Sequence, residues 1–161
     1  MQRYEQLIEN FYAALNRRDY RTMAECYHPD VIFYDPVFEN LNFEEVKAMW
    51  EMLCKRATDL RVTVSNLDSE KLNEDEEYGS CRWVAEYTFT GTGRKVINVV
   101  EADFRFRDGL FIEHMDSFDL YKWSKQALGL PGLLLGWSGF IQNPIRKKAK
   151  KSLRQFMENR Q

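Results

Sequence analysis

The spacing of apolar residues changes once along the chain, from helical periodicity to strict alternation. Apolar residues recur three or four positions apart over residues 3–16, and again in the segment that follows Asn42. From residue 60 to residue 119 they alternate with polar residues, as in strands with one buried face. Helices that precede an antiparallel meander are typical of the α+β class, which is the fold class that we predict.

The helical segments carry their own boundary signals. We predict a first helix over residues 3–16 and a short second helix that Asp19 caps and His28-Pro29-Asp30 ends. A strand should follow at residues 31–35. The third helix is expected after Asn42, because a glutamate three residues later completes a capping box.

The alternating region predicts four strands, over residues 60–64, 79–90, 95–107 and 110–119. The third of them separates its residues most clearly by face. We expect one of its faces to meet the helices, and that face carries Val96, Asn98, Val100, Ala102, Phe104 and Phe106.

The length of the chain bounds the number of domains. A chain of 161 residues with 44% hydrophobic residues can bury one core. We predict one domain over residues 1–119 and a helical, basic extension over residues 120–161. No apolar run reaches the roughly 18 residues of a membrane-spanning helix. Because residues 1–5 also lack the pattern of a secretory signal, we expect a cytoplasmic protein.

The sequence indicates neither metal nor phosphate chemistry. Two histidines among scattered acids do not form a zinc or iron constellation. Cys26, Cys54 and Cys81 lack paired spacing and are predicted to be buried free thiols. The chain has no glycine-rich phosphate loop and no G-x-S-x-G nucleophile elbow. We therefore expect no cofactor, no metal and no nucleic-acid partner.

Positive charge is concentrated in the extension. Residues 120–161 contain nine lysines and arginines against one acid, Glu158, which gives a net charge of +8, whereas residues 1–119 carry −10. A basic segment can contact an anionic membrane, or it can fold back onto its own acidic domain or a dimer partner. We favour folding back and retain weak contact with an anionic membrane as the alternative.

The extension is also unusually apolar before Pro144. Residues 133–137 read Leu-Leu-Leu-Gly-Trp, and Phe140 and Ile141 follow soon after. We predict that this run is buried, because so much apolar surface is unfavourable in water. Beyond Pro144, an apolar stripe opposite a row of lysines predicts a basic amphipathic helix.

Several short motifs resemble the SnoaL-like proteins of the nuclear transport factor 2-like superfamily, which are relatives of ketosteroid isomerase and polyketide cyclases. The opening motifs are Phe11-Tyr12-Ala13-Ala14-Leu15-Asn16-Arg17-Arg18-Asp19, Tyr27-His28-Pro29-Asp30 and Asp35-Pro36-Val37, and the closing hairpin contains Asp108-Gly109, His114 and Asp116. The resemblance covers about residues 4–119. It implies a cone-shaped, curved antiparallel sheet wrapped around the long N-terminal helix. We also expect a homodimer.

The resemblance gives Asp35 a possible role. In ketosteroid isomerase the base is an aspartate in a D-P-V or D-P-F turn, and Asp35-Pro36-Val37 stands at that place. Burial would raise the pKa of such a base toward a useful range. The alternative is an ordinary Asp-Pro turn that caps backbone amides. The isomerase's two oxyanion donors correspond to Phe11 and Ala102, so efficient ketosteroid isomerisation is not expected.

The last strand supplies the second pair of candidates. His114, Asp116 and Phe118 alternate and share a face, which the resemblance implies is the pocket face. Asp116 or His114 is the expected catalytic partner of Asp35, and the alternative is a polar pair that plugs the pocket. The predicted substrate contacts are Phe11, Tyr34, Trp50, Trp83, Tyr87, Asn98, Ala102 and Phe118.

Two functions follow from these observations. The first is a small-molecule-binding protein that acts as a cofactor-free isomerase, cyclase or hydrolase, by proton transfer on an apolar substrate. The second is a non-catalytic module that binds an apolar ligand or assembles as a dimer. The same fold hosts enzymes, binders and scaffolds, so the fold does not separate the two.

Overall fold

Six strands form one curved, unclosed sheet, and helices pack around it. The computed structural model describes residues 3–74 and 76–160, so Met1 and Gln2 of the predicted N-terminal domain lie outside the described residues, as do Asp75 and Gln161. The predicted α+β class is confirmed. In chain order the elements are α1 (Arg3–Asn16), α2 (Tyr20–Glu25), β1 (Tyr27–Asp35), β2 (Glu39–Leu41), α3 (Phe43–Arg56), β3 (Arg61–Lys71), β4 (Glu77–Phe89), β5 (Arg94–Arg107), β6 (Leu110–Ser117), α4 (Leu120–Leu128), α5 (Leu130–Leu135) and α6 (Gly139–Asn159).

The strands lie in the order β2-β1-β6-β5-β4-β3. Neighbouring strands are antiparallel except for β1 and β6, which are parallel. The sheet therefore differs from the predicted antiparallel sheet at this one pair. The difference arises because β1 reaches the meander through β2 and α3, and not through a hairpin with β6.

The start of β1 differs from the prediction. The segment His28-Pro29-Asp30 does not end a helix, because α2 ends at Glu25 and the strand begins at Tyr27. Pro29 is exposed and lies where the register between β1 and β6 shifts, so no ladder hydrogen bond is lost. His28 Nδ1 accepts a hydrogen bond from the amide of Asp30 at 3.0 Å, which stabilises the irregular segment.

The core lies between α1 and the inner face of the sheet. The helix buries Ile8, Phe11, Tyr12 and Leu15 completely or almost so. The inner face of β5 is the face that the alternation predicts, and all of its predicted residues are buried except Asn98, which is half-buried. The three cysteines are buried and free, as predicted, and burial raises the pKa values of the Cys26 and Cys81 thiols to about 12.

The extension folds back across the domain. The side chain of Leu153 is buried in the main core, and Lys150 forms an ion pair with Glu39. Arg146 Nε donates a hydrogen bond to the carbonyl oxygen of Pro36 at 2.9 Å. These contacts join the basic helix α6 to the acidic domain. In the described part of the chain, no helix has both the length and the apolar character needed to cross a bilayer.

One expectation for the extension is wrong, and a second stays a prediction. The last helix includes Pro144 at its sixth residue instead of beginning after it. The apolar run is not buried within the single chain: the exposed fraction is 61% for Leu134, 67% for Trp137 and 84% for Phe140. The cause is the way α5 packs on α4, through glycines and not through leucines. Burial of the run against a partner or another surface stays a prediction.

Candidate functional site

A cavity of about 610 Å³ lies between the inner face of the sheet, α3 and the C-terminal helices. Most of its lining is apolar, and α6 closes one side through Ile141, Ile145 and Ala149. A size of this order suits a small organic ligand. Seven of the residues predicted for the site line this cavity: Asp35, Trp50, Trp83, Tyr87, Asn98, Asp116 and Phe118.

A second depression, of about 450 Å³, lies between β2 and α6. Its Glu39 and Lys150 pair with each other. Neither of the buried carboxylates, Asp35 and Asp116, borders it. We therefore place the candidate site in the larger cavity.

The carboxylate of Asp35 is largely buried, and its two oxygens have different surroundings. It lies at the end of β1 with only 9% of the residue exposed. Its Oδ1 accepts hydrogen bonds from the backbone amides of Val37 at 2.8 Å and Phe38 at 2.6 Å. Its Oδ2 has no hydrogen-bond partner among the described residues. One oxygen therefore caps the turn while the other is available at the cavity wall.

Burial raises the pKa of Asp35 to about 6. The hydrogen bond from the Phe38 amide opposes this shift, and the charge of Asp116 adds to it. A carboxyl group with this pKa is mostly ionised at neutral pH but binds a proton readily. It is therefore able to remove a proton and to return one.

Asp116 lines the same cavity, and two nitrogen atoms lie within hydrogen-bonding distance of its carboxylate. His114 Nε2 lies 3.0 Å from its Oδ1, and Trp83 Nε1 donates to the same oxygen at 3.3 Å. On the other side of the imidazole, Nδ1 of His114 lies 2.7 Å from the hydroxyl of Tyr27. Trp50 Nε1 donates to that hydroxyl at 2.9 Å. All five side chains belong to one buried chain of hydrogen bonds.

The direction of these hydrogen bonds follows from the donors. An indole N–H can only donate, so the Tyr27 oxygen accepts from Trp50. Burial raises the pKa of Tyr27 well above its ordinary value, so the hydroxyl keeps its proton and donates it to His114 Nδ1. The remaining imidazole proton then lies on Nε2 and points at Asp116, an assignment that rests on the hydrogen-bond pattern. The chain fixes a single tautomer of His114.

His114 contacts Asp116 but does not face the cavity. Its side chain is completely buried, it does not line the cavity, and both of its nitrogens are occupied. Rings of Phe11, Phe33 and Phe104 surround the imidazole with centroids 4.5 to 5.6 Å away. The sequence places His114 and Asp116 on one face of the strand. In the structure Asp116 lines the cavity, whereas His114 lies behind it and contacts its carboxylate.

Tyr87 and Asn98 are the uncharged polar residues that β4 and β5 contribute to the lining among those predicted for the site. Trp123 Nε1 donates to the Tyr87 hydroxyl at 2.7 Å. Burial raises the pKa of Tyr87, so the hydroxyl keeps its proton, and no described residue accepts that proton. Tyr87 is therefore equipped to donate a hydrogen bond to an oxygen atom of a ligand.

Three predicted contact residues do not reach the cavity. Phe11 and Ala102 are fully buried in the core beneath it. Tyr34 lies on the opposite face of β1, because side chains alternate along a strand and its neighbours Phe33 and Asp35 point inward. These three are corrections to the predicted site.

Two participants were not predicted as site residues, Tyr27 and Trp123. The helical pattern after Asp19 includes Tyr27 in the predicted second helix, whereas the structure places it on β1, an even number of positions before Asp35 and on the same strand face. Trp123 belongs to the extension, where no strand alternation indicates which way its side chain points. Only a tertiary contact joins it to Tyr87.

The raised pKa of Asp35 predicts a specific pH dependence of stability. The folded state binds the Asp35 proton more tightly than the unfolded state does. The protonated carboxyl therefore contributes fully to the free energy of unfolding below about pH 4, and this contribution is lost as the pH rises through 6. Asp35→Asn does not titrate and keeps an oxygen for the Val37 and Phe38 amides. Relative to wild type, the variant should gain up to about 3 kcal/mol in free energy of unfolding between pH 4 and pH 8.

Urea denaturation of both proteins across this pH range measures the difference. A difference in unfolding free energy that is the same at both ends of the range would contradict the raised pKa.

The curved, unclosed sheet with its helices, together with the match to a family model, places the chain in the nuclear transport factor 2-like superfamily. The model of the SnoaL-like domain matches residues 8–114, which is more than half of the chain. The chain belongs to the SnoaL-like family. Among proteins of curated function, none matches the sequence significantly.

Solved structures share this fold. TsrD from Streptomyces laurentii is 27% identical with a TM-score of 0.60, over 79% of this chain and 95% of that one. A protein with a ketosteroid isomerase-like fold from Catenulispora acidiphila, solved with trimethylamine, is 14% identical with a TM-score of 0.64, over 80% and 96%. A candidate polyketide cyclase from Xanthomonas campestris is 19% identical with a TM-score of 0.60, over 78% and 96%.

Proposed function

We propose that this SnoaL-like protein catalyses cofactor-free proton transfer on an apolar small molecule, with Asp35 as the base. The observation that carries the proposal is the pair of buried carboxylates, Asp35 and Asp116, on the wall of one largely apolar cavity. Buried carboxylates are costly in such a place even when they accept hydrogen bonds, and they are typical of sites that use them.

The two carboxylates have different roles in this proposal. Asp35 has a free oxygen and a pKa of about 6, so it removes a proton from carbon and returns it to a second position. Asp116 has one oxygen occupied by Trp83 and His114, and it orients the ligand through the other. The charge of Asp116 also helps to raise the pKa of Asp35.

Negative charge that develops on a substrate oxygen requires a hydrogen-bond donor. By resemblance, two residues correspond to the oxyanion donors of ketosteroid isomerase, Phe11 and Ala102, and both are apolar and buried away from the cavity. Tyr87, with Asn98 beside it on the same wall, is the available replacement. A substrate that fits this arrangement is apolar and carries a single carbonyl or similar oxygen.

The experiment uses nitrobenzisoxazole, an apolar ring that reports on a buried base. The base removes the carbon-bound proton, the N–O bond breaks, and a coloured nitrile phenolate forms. We expect the wild-type rate to rise with pH through about 6, since only ionised Asp35 acts as the base. Asp35→Asn should lower the rate at least about a hundredfold.

Asp68→Asn is the matched control, because Asp68 is an exposed acid on β3 outside the cavity. The control should keep the wild-type rate and pH profile. An equal rate for Asp35→Asn and Asp68→Asn would remove Asp35 from the role of base.

A second function, ligand binding without turnover, is favoured by the apolar residues at the two oxyanion positions. Native mass spectrometry of gently purified protein separates the two functions. A retained apolar ligand, together with no Asp35-dependent rate, would support a binding module. The homodimer and the cytoplasmic location expected from the sequence stay predictions.

A further inference from the structure

An exposed apolar surface lies at the end of the molecule that carries α5. Six large side chains form it, and each is between 46% and 84% exposed. We call this surface the α5 patch. Its members are Leu130, Leu133, Leu134, Leu135, Trp137 and Phe140.

The outward direction of the α5 patch is fixed by glycine contacts. A β-carbon on Gly132 would lie 2.0 Å from the carbonyl oxygen of Ser124, and one on Gly136 would lie 2.9 Å from the Ser124 side chain. The glycine face of α5 is therefore pressed against α4. Tyr121 adds a hydrogen bond from its hydroxyl to the Leu133 carbonyl at 2.9 Å. The leucines on the other face cannot turn inward without breaking this contact.

A row of cations continues from the patch along α6. Lys147, Lys151 and Arg154 follow Phe140 at spacings that keep all four within about 40° of one line on the helix. The three cations are exposed, and no described acid lies within ion-pair distance of them. We call them the basic row. Lys150, which does pair with the domain, lies elsewhere around the helix.

The patch also borders the cavity. Phe140 is 84% exposed and at the same time lines the cavity, as does its neighbour Ile141. Whatever covers the patch therefore sits beside the cavity mouth.

We infer that the α5 patch and the basic row dock the protein on the surface of an anionic lipid bilayer, with the cavity mouth beside the bilayer. Apolar side chains enter the boundary between headgroups and acyl chains, while lysines and arginines contact anionic headgroups. An apolar ligand would then pass between bilayer and cavity with little exposure to water. This inference does not depend on the proposed base.

A second copy of the chain fits this surface less well. A two-fold interface brings the same patch of both copies together. Such an interface would cover the apolar patch, but the patch and the basic row of the second copy offer no acidic group to the cations of the first. An anionic lipid surface complements both the apolar and the basic part.

Flotation of the intact protein with vesicles tests the inference. We expect binding to vesicles of phosphatidylcholine with phosphatidylglycerol at low salt, and much weaker binding to phosphatidylcholine alone. Leu134→Ser with Phe140→Ser should weaken binding at least about tenfold. Lys147→Gln with Lys151→Gln should weaken it about fivefold for each charge.

Two control variants distinguish docking through the α5 patch from non-specific hydrophobic binding and from catalysis. Ile97→Ser with Val99→Ser removes two half-exposed apolar side chains from the outer face of β5 and should bind as wild type does. Asp35→Asn should also bind as wild type does, so that failure of the proposed base leaves this result intact. Circular dichroism checks that the variants of exposed residues remain folded.

Tryptophan fluorescence gives a second readout. Trp50, Trp83 and Trp123 are buried, whereas Trp137 is 67% exposed. Anionic vesicles should shift the emission of the wild type to shorter wavelength, and Trp137→Phe should lose that shift while it keeps binding.

Three results would overturn the inference. The first is no flotation of the wild type at low salt. The second is equal binding by the variant that carries Leu134→Ser and Phe140→Ser. The third is a dimer that this variant dissociates, without any binding to vesicles, which would assign the patch to a second copy of the chain.

Discussion

Replacement of His114 by alanine should lower the free energy of unfolding by about 3–5 kcal/mol. The substitution removes a completely buried ring that is packed among phenylalanines. It also leaves the Tyr27 hydroxyl without its acceptor and Asp116 with one donor fewer. Orphaned buried polar groups and an empty volume both destabilise the folded state, and here they occur together.

Urea denaturation measures this loss, and the other histidine of the chain provides the control. His28 is hydrogen-bonded to an exposed strand segment and to Asp108 at 3.3 Å. We expect His28→Ala to cost about 1 kcal/mol or less. If the two alanine variants were equally stable, the hydrogen-bond chain around His114 would contribute nothing to folding.

Gly132→Ala is expected to destabilise the protein by several kcal/mol, on the order of 3 or more, or to detach α5 from α4. The added β-carbon would lie 2.0 Å from the Ser124 carbonyl oxygen and 2.4 Å from its carbon. Both are backbone atoms of a helix, so a side-chain rotation cannot relieve the overlap. Alanine normally favours a helix over glycine, so this loss would run against intrinsic propensity.

Thermal denaturation measures this loss, with Gly139→Ala as the control. The comparison separates the effect of the close approach between α5 and α4 from the effect of helix propensity. Gly139 lies in the first turn of α6, and its added β-carbon would approach only the flexible side chain of Asn143, at 3.1 Å. We expect the control to be neutral or slightly stabilising. A neutral Gly132→Ala would show that α4 and α5 are not held together by this close approach.

Local patterns predicted the helices and strands that depend on local interactions. The capping box of Asn42 and Glu45 forms as expected at the start of α3. Strict alternation along β5 identified its inner face. The capping box is a contact within one helix, and the alternation reflects burial of every second residue of one strand. Both depend on local sequence alone, so the sequence predicts them.

Local patterns were not sufficient where distant segments decide the outcome. Tyr27 belongs to a strand because β1 pairs with β6, which lies about eighty positions later in the chain. The exposure of Leu134 and Trp137 depends on the fit of Gly132 against α4. Neither contact leaves a periodic trace in the sequence.

The candidate site was predicted in part. Asp35 and Asp116 do line one cavity, together with five of the predicted contact residues. Tyr34 does not reach the cavity, because alternation along β1 sets its side chain on the face opposite that of Asp35. The chain of hydrogen bonds through Tyr27 and His114 was not predictable, because indole and hydroxyl groups give no signal that distinguishes a donor from core packing.

The hydrogen bond from Arg146 to the Pro36 carbonyl couples the mobility of α6 to the geometry of Asp35. Pro36 follows Asp35 directly, and α6 forms one wall of the cavity. Any outward displacement of that helix must strain or break a bond to the turn that holds the carboxylate. Coupling of this kind is reciprocal: a ligand or a proton that alters the turn changes the cost of moving the helix by the same amount. We therefore expect entry into the cavity and the protonation of Asp35 to be linked equilibria if either one alters this turn.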